Sequence, residues 1–192
     1  MSRTINARQG VQTLARQAYE LIGHPDERRK WRAAKDPQTP AHILNILAQH
    51  DEWETRLYVA ANESASNEAL AVLALDSDWL VRKRVAGNPS TPALILDALV
   101  SDPQWLVRKE VARHFATSPL VLEILSRDSI NTVREVLAQR PALAEDIVQR
   151  LARDQSSDVR IAIAKRDNLS DETRELLRSD RNLSVRQLVA VG

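Results

Sequence analysis

The apolar residues of this chain recur in a pattern with a period of 26 positions. From Lys30 onward, an apolar residue followed by alanine returns again and again without a gap. These pairs are Ala33-Ala34, Val59-Ala60, Val85-Ala86, Val111-Ala112, Leu137-Ala138, Ile163-Ala164 and Val189-Ala190. A fixed period of this length is typical of stacked structural repeats, so the pattern predicts a single elongated repeat array.

Two short helices are predicted in each repeat. The first carries the alanine pair and ends where proline follows, as at Asn88-Pro89 and Arg140-Pro141, because the residue before proline disfavours the α conformation. The second begins at sites such as Thr91-Pro92, which combine a capping hydroxyl with a proline in the first turn. Helices of two to three turns are unstable alone in water, so each repeat must be stabilised by its neighbours.

Both ends of the chain depart from the repeat. Residues 1–25 carry an apolar stripe at helical spacing, which predicts an N-terminal capping helix that ends at Gly23 and Pro25. The stripe consists of Val11, Leu14, Ala15, Ala18, Leu21 and Ile22. At the other end, the sequence stops at Gly192, after the first predicted helix of a seventh copy. No following repeat is then present to cover Leu188. That end is either a mild cap or a place where a partner or a second copy of the chain packs.

Three stretches carry a family resemblance: VRKRVAGNPSTPALILDAL from Val81, VRKEVARHFATSPLVLEIL from Val107 and VRIAIAKRDNLSDETRELL from Val159. They resemble the leucine-rich repeat variant family, and the likeness covers about residues 28–191. The resemblance implies a right-handed superhelix of alternating α- and 3₁₀-helices without a common catalytic activity. Some members hold an iron–sulfur cluster through cysteines, but this chain has no cysteine. No cofactor is therefore expected.

An aspartate and an arginine also recur, six residues apart, in a spacing similar to that of HEAT-type solenoids. The positions are Asp76 and Arg82, Asp102 and Arg108, Asp128 and Arg134, Asp154 and Arg160, and Asp180 and Arg186. Catalysis needs one site, whereas stacking needs one contact per interface. The spacing therefore predicts a structural ladder that ties each repeat to the next through charge-assisted hydrogen bonds.

The predicted fold is all-α. It is a right-handed α-solenoid of about six 26-residue, two-helix repeats, built from α-helices and, as the resemblance implies, 3₁₀-helices. The capping helix would occupy residues 1–25 and the repeat array residues 26–192.

Three tryptophans, Trp53, Trp79 and Trp105, also lie 26 positions apart. Each precedes the apolar start of a predicted first helix, where it would cover the helix. Aromatic side chains at intervals also form stacking platforms for single-stranded bases. The sequence leaves both interpretations open.

Basic residues gather near the ends of the first helices and define the candidate partner-binding surface. They are Lys83, Arg84, Lys109, Arg113, His114, Arg140, Lys165 and Arg166. Acidic residues gather early in the second helices, as at Asp97, Glu123 and Asp146. This arrangement complements the helix dipoles, and stacking would also turn it into a basic and an acidic ribbon.

Composition excludes several kinds of chemistry. The net charge of +1 gives no bulk attraction to nucleic acid, and no apolar run is long enough to span a membrane. The four histidines are scattered and the glycines form no phosphate-binding loop, so neither a metal site nor a catalytic site is predicted. The expected function is a cytoplasmic, non-catalytic scaffold that binds another protein along an extended surface. The alternatives are nucleic-acid binding through the basic ribbon and tryptophans, and self-association through the C-terminal end.

Overall fold

The structure, a computed structural model, describes Glu20, Gly23 and residues 26–190 of the chain. Within these residues it contains thirteen α-helices and no β-strand. The capping helix predicted in residues 1–25 lies outside the described residues, apart from Glu20 and Gly23.

The helices alternate between two series, and within each series the starts are 26 residues apart. The first series is α1 (Glu27–Lys35), α3 (Trp53–Ala61), α5 (Trp79–Gly87), α7 (Trp105–Arg113), α9 (Asn131–Ala138), α11 (Ser157–Ala164) and α13 (Leu183–Ala190). The second is α2 (Ala41–Leu47), α4 (Asn67–Leu73), α6 (Ala93–Leu99), α8 (Pro119–Leu125), α10 (Glu145–Ala152) and α12 (Asp171–Arg178). The period seen in the sequence is therefore the period of the helices.

Both series are α-helical. In α8, the amide of Leu122 donates to the Ser118 carbonyl at 3.0 Å, and the amide of Ser126 donates to the Leu122 carbonyl at 2.9 Å. The tighter 3₁₀-type bond appears beyond the helix end, where the Arg127 amide donates to the Ile124 carbonyl at 3.1 Å. In the described part of the chain, 3₁₀ geometry thus finishes helices instead of forming one of the two series.

The helices fall into two compact units, with the boundary between Ile95 and Leu96. In the first unit, α3 packs on both α1 and α5, and α2 packs on α4. In the second unit, α9 packs on both α7 and α11, α11 packs on α13, and α10 packs on α12. Within each unit, first-series helices thus stack on the next member of their series, which confirms the predicted all-α, solenoid-type packing.

The buried faces are those that the sequence indicates. The alanines of the first series are buried at Ala34, Ala60, Ala86, Ala112, Ala138 and Ala164. The last leucine of each second-series helix or its equivalent is also buried, at Leu47, Leu73, Leu99, Leu125, Leu151 and Leu177. Alanine at a packed helix face allows close approach, while leucine fills the space between the two series. None of the helices in the described part has the length and apolarity needed to cross a bilayer.

Candidate functional site

Arginine–aspartate pairs join successive repeats inside each unit. Arg108 donates from Nε and Nη2 to the two carboxylate oxygens of Asp128, at 2.6 and 2.9 Å. The same two-pronged contact joins Arg56 to Asp76, Arg134 to Asp154 and Arg160 to Asp180. Each hydrogen-bonded carboxylate raises the pKa of its arginine. The aspartate in every pair lies 20 residues after its arginine.

The spacing of six residues corresponds to a different contact. Nη1 of Arg134 donates to the main-chain carbonyl of Asp128 at 2.6 Å, and Nη1 of Arg82 donates to that of Asp76 at 2.7 Å. Arg108, Arg160 and Arg186 make the equivalent contact. Arg108, Arg134 and Arg160 therefore each bind a backbone carbonyl of their own repeat and an aspartate side chain of the next one. In the first repeat, Lys30 takes the arginine position, with its Nζ 3.0 Å from Nε2 of His50.

The Arg160–Asp180 pair makes stability depend on pH. Its hydrogen bond from Arg160 lowers the pKa of Asp180 below the ordinary 3.8, against the opposing effect of desolvation. A lowered folded-state pKa adds stability above the unfolded value, and this stability is lost as pH falls through the folded value. We expect Asp180→Asn to destabilise the protein at pH 7 and the difference from wild type to shrink below about pH 4. Urea unfolding at a series of pH values measures this; a difference that stays constant with pH would contradict it.

A second ladder ties the C-terminal ends of the first-series helices together. Nδ2 of Asn62 donates to the carbonyls of Ala34 and Asp36, at 2.8 and 3.0 Å. Nδ2 of Asn88 donates in the same way to Ala60 and Asn62, at 2.8 and 2.9 Å. The amide group thereby binds carbonyls that a helix end leaves without an intrahelical partner.

Arg140 and Arg166 take over this role in the second unit. Nη1 of Arg140 donates to the carbonyls of Ala112 and His114, at 3.0 and 2.7 Å. Nη1 of Arg166 donates to the carbonyls of Ala138 and Arg140. Burial lowers the pKa of both arginines, and the negative ends of the helix dipoles stabilise their charge. These two members of the predicted partner-binding set therefore hold the fold together.

The other predicted partner-binding residues differ in how freely they meet solvent. His114 is buried and stacks on Phe115, with ring centroids 4.8 Å apart. Arg113 pairs with Glu110 at 3.1 Å, and the Lys109 ammonium lies 5.6 Å from the centre of the Trp105 ring. Arg84 and Lys165 are exposed, and Lys83 is half-buried. Lys83 and Arg84 lie in the first unit and the remaining residues in the second.

The tryptophans are only partly covered. Trp79 and Trp105 are half-buried, and Trp53 is 37% exposed. Each forms the first residue of its helix, as the spacing predicts. Their partial burial agrees with packing at the helix start, and their remaining exposure leaves contact with a partner open.

Large apolar side chains are exposed in both units. Leu75 is 82% exposed and Leu94 is 79% exposed in the first unit. Phe115 is 74% exposed and Leu120 is 71% exposed in the second. The sequence interpretation missed these residues because it searched for charge. The signal was present, since Leu94 and Leu120 occupy a repeat position that holds Glu68, Asp146 or Glu172 in other copies.

Two grooves in the second unit differ in chemistry. The first, of about 550 Å³ beside α9 and α11, is lined by both signs of charge. Its cations are Arg140, Lys165 and Arg166, and its carboxylates are Glu135, Asp158 and Asp167. The second, of about 500 Å³ beside α8 and α10, is mostly apolar. In the residues that the structure describes, no three histidine, aspartate or glutamate side chains lie together as metal ligands.

Comparison with known proteins supports the fold. No family model matches the chain, and no curated protein sequence matches it. Among solved structures, one described as a leucine-rich repeat variant with a novel repetitive protein structural motif is similar, with a TM-score of 0.70 and 28% sequence identity. The likeness covers 88% of this chain and 67% of that one. The resemblance carried by the repeated sequence is thus confirmed by a solved structure, and the chain has the fold of a leucine-rich repeat variant.

Proposed function

We propose that this chain is a non-catalytic, cytoplasmic scaffold that binds another protein along an extended surface. The observation that carries the proposal is the exposure of Leu75, Leu94, Phe115 and Leu120, each with more than 70% of its surface accessible. Single exposed leucines are ordinary, but a leucine that recurs at a repeat position elsewhere occupied by carboxylates is not explained by folding. Covering these side chains with a protein partner would remove apolar surface from water.

The placement of the cations favours protein over nucleic acid as the partner. Nucleic-acid binding draws its affinity from cations that are free to meet phosphates. Arg140 and Arg166 instead bind backbone carbonyls, and Arg113 pairs with Glu110. Within the predicted basic set, binding to nucleic acid would therefore depend mainly on the members that stay exposed, among them Arg84 and Lys165.

Affinity capture from the native cell tests the proposal with two variants. One replaces Leu75, Leu94 and Leu120 by aspartate, and the other replaces Lys83, Lys109 and Arg113 by glutamate. We expect wild type and the variant with the replaced cations to capture the same protein. The variant with the replaced leucines should capture at least tenfold less of that protein. Circular dichroism checks that both variants remain folded. Loss of capture only in the charge variant, together with a gel shift of DNA or RNA by wild type, would instead support the nucleic-acid alternative.

A further inference from the structure

The apolar groove of the second unit lies between α8 and the segment that leads into α10. Leu122 and Ile147 are buried and form its floor, while Pro119, Leu120 and residues 142–144 line its sides. All of these residues belong to one unit and to described chain. The groove is open to solvent along the exposed side of Leu120.

The segment that lines the groove differs from its equivalents in the preceding repeats. At the equivalent position in the two preceding repeats, Thr91 and Thr117 are buried, and each hydroxyl donates to a carbonyl six residues earlier at 2.6 Å. Leu143 has no hydroxyl and is half-exposed, although Leu169, one repeat later, is buried. The segment before α10 therefore lacks the hydroxyl link that Thr91 and Thr117 make to a first-series helix.

The start of α10 adds to this difference. Ser118 and Ser170 cap α8 and α12 by accepting from the amides of Val121 and Thr173. Ala144, at the same position before α10, has no side chain that can accept such a bond. The result is an entry to α10 lined by small and apolar side chains, with Leu143 turned partly to solvent.

Two carboxylates provide the charge of the groove. Its lining includes Glu123 and Asp146 and no cation. Oε1 of Glu123 binds Arg127 at 2.7 Å and Arg150 at 3.0 Å, but its Oε2 is buried without a hydrogen-bond donor among the described residues. A buried polar atom without a partner is unfavourable, so a donor brought by a ligand would improve its environment.

We propose that this groove binds a short amphipathic segment of the protein partner, with apolar anchors over Leu120 and Ile147 and lysine or arginine facing Glu123 and Asp146. The inference rests on the proposed scaffold function and adds the place and the chemistry of binding. The apolar floor and the acidic rim together select against an acidic or wholly apolar segment, because like charges repel and such a segment brings no cationic donor to Oε2 of Glu123.

A displayed library of random short peptides tests the groove directly. Peptides are depleted on the Leu120→Asp variant and then selected on the wild-type chain. We expect the enriched peptides to combine leucine-type residues with a net positive charge. They should shift the methyl resonances of Leu143 and Ile147 and bind Leu120→Asp at least tenfold more weakly. Enrichment of acidic or unbiased peptides, or of none, would overturn the proposal.

Two matched variants sharpen the result. Leu183→Asp changes a leucine of the same unit that is 58% exposed but lies outside the groove, and it should leave the affinity of the selected peptides within twofold of wild type. Asp146→Lys should weaken the basic peptides and turn selection toward acidic ones, because the charge of the rim is reversed. Equal affinity of Asp146→Lys and wild type for the basic peptides would contradict the charge assignment.

The groove and the scaffold function fail in different ways. If wild type and Leu120→Asp capture the same cellular protein equally, the groove is wrong while the scaffold function stands. If no protein is captured by wild type, the scaffold function itself is wrong. Methyl shifts of Leu143 that grow with the concentration of the chain alone would identify a second copy as the occupant, which also overturns the proposal.

Discussion

Replacing Arg108 by alanine is expected to lower the free energy of unfolding by about 3 kcal/mol. The guanidinium binds both carboxylate oxygens of Asp128 and the carbonyl of Asp102. Its removal leaves the Asp128 carboxylate, which is 5% exposed, without its cation. A desolvated charge without a partner costs more than an exposed one, so the effect exceeds that of an ordinary surface ion pair. Urea unfolding followed by circular dichroism measures the change.

Arg127→Ala provides the matched control. Arg127 also pairs with a carboxylate, that of Glu123 at 2.7 Å, but its side chain is 63% exposed. Because solvent screens such a pair, its loss should cost about 0.5 kcal/mol or less. The loss of stability in Arg108→Lys should lie between those of Arg108→Ala and Arg127→Ala, since lysine keeps the charge but cannot form the two-pronged contact. Equal effects of Arg108→Ala and Arg127→Ala would show that the ladder adds no stability beyond a surface pair.

The period of the sequence was sufficient to predict the helices and most of the buried positions, although Ala190 is exposed. Hydrophobic burial depends on local residue type and spacing, and both recur every 26 residues. Ala112 and Leu125 are therefore buried where the pattern places them. The same argument selected the arginines and aspartates of the ladder.

The pairing inside the ladder could not be predicted in the same way. Asp128 lies six residues before Arg134 and 20 residues after Arg108, and a periodic sequence does not tell which arginine its side chain reaches. In the structure Asp128 contacts both arginines: its carboxylate accepts from Arg108 and its main-chain carbonyl accepts from Arg134. Choosing between these contacts requires the separation of the helices, which the repeat length alone does not contain.

The role of Arg140 was hidden for a different reason. Asn62 and Asn88 occupy its repeat position, and both bind the carbonyls at the end of the preceding helix. An exchange of asparagine for arginine looks like a gain of surface charge when the sequence is read alone. Both side chains carry N–H donors, however, and Arg140 uses one of them for the same carbonyl contact. Asn62, Asn88, Arg140 and Arg166 therefore share an N–H donor at this position and not a charge.

Replacing Leu125 by alanine is expected to lower the free energy of unfolding by about 3 kcal/mol. Leu125 is 1% exposed at the end of α8, so the change removes buried methyl groups and leaves a cavity. Leu120→Ala, in the same helix, should cost about 0.5 kcal/mol or less because Leu120 is 71% exposed. The two variants remove the same atoms from opposite faces of one short helix, and urea unfolding compares them directly.

Leu120→Ala and Leu125→Ala also distinguish a residue that binds a partner from a residue that stabilises the fold. Leu120→Ala should weaken the selected groove peptides while the midpoint of unfolding stays near that of wild type, because its side chain is available to a partner and contributes little to the core. Leu125→Ala should shift the midpoint strongly yet retain peptide binding under conditions where the variant is folded. A Leu120→Ala variant that loses as much stability as Leu125→Ala would place Leu120 in the core of α8 and remove it from any partner-binding surface.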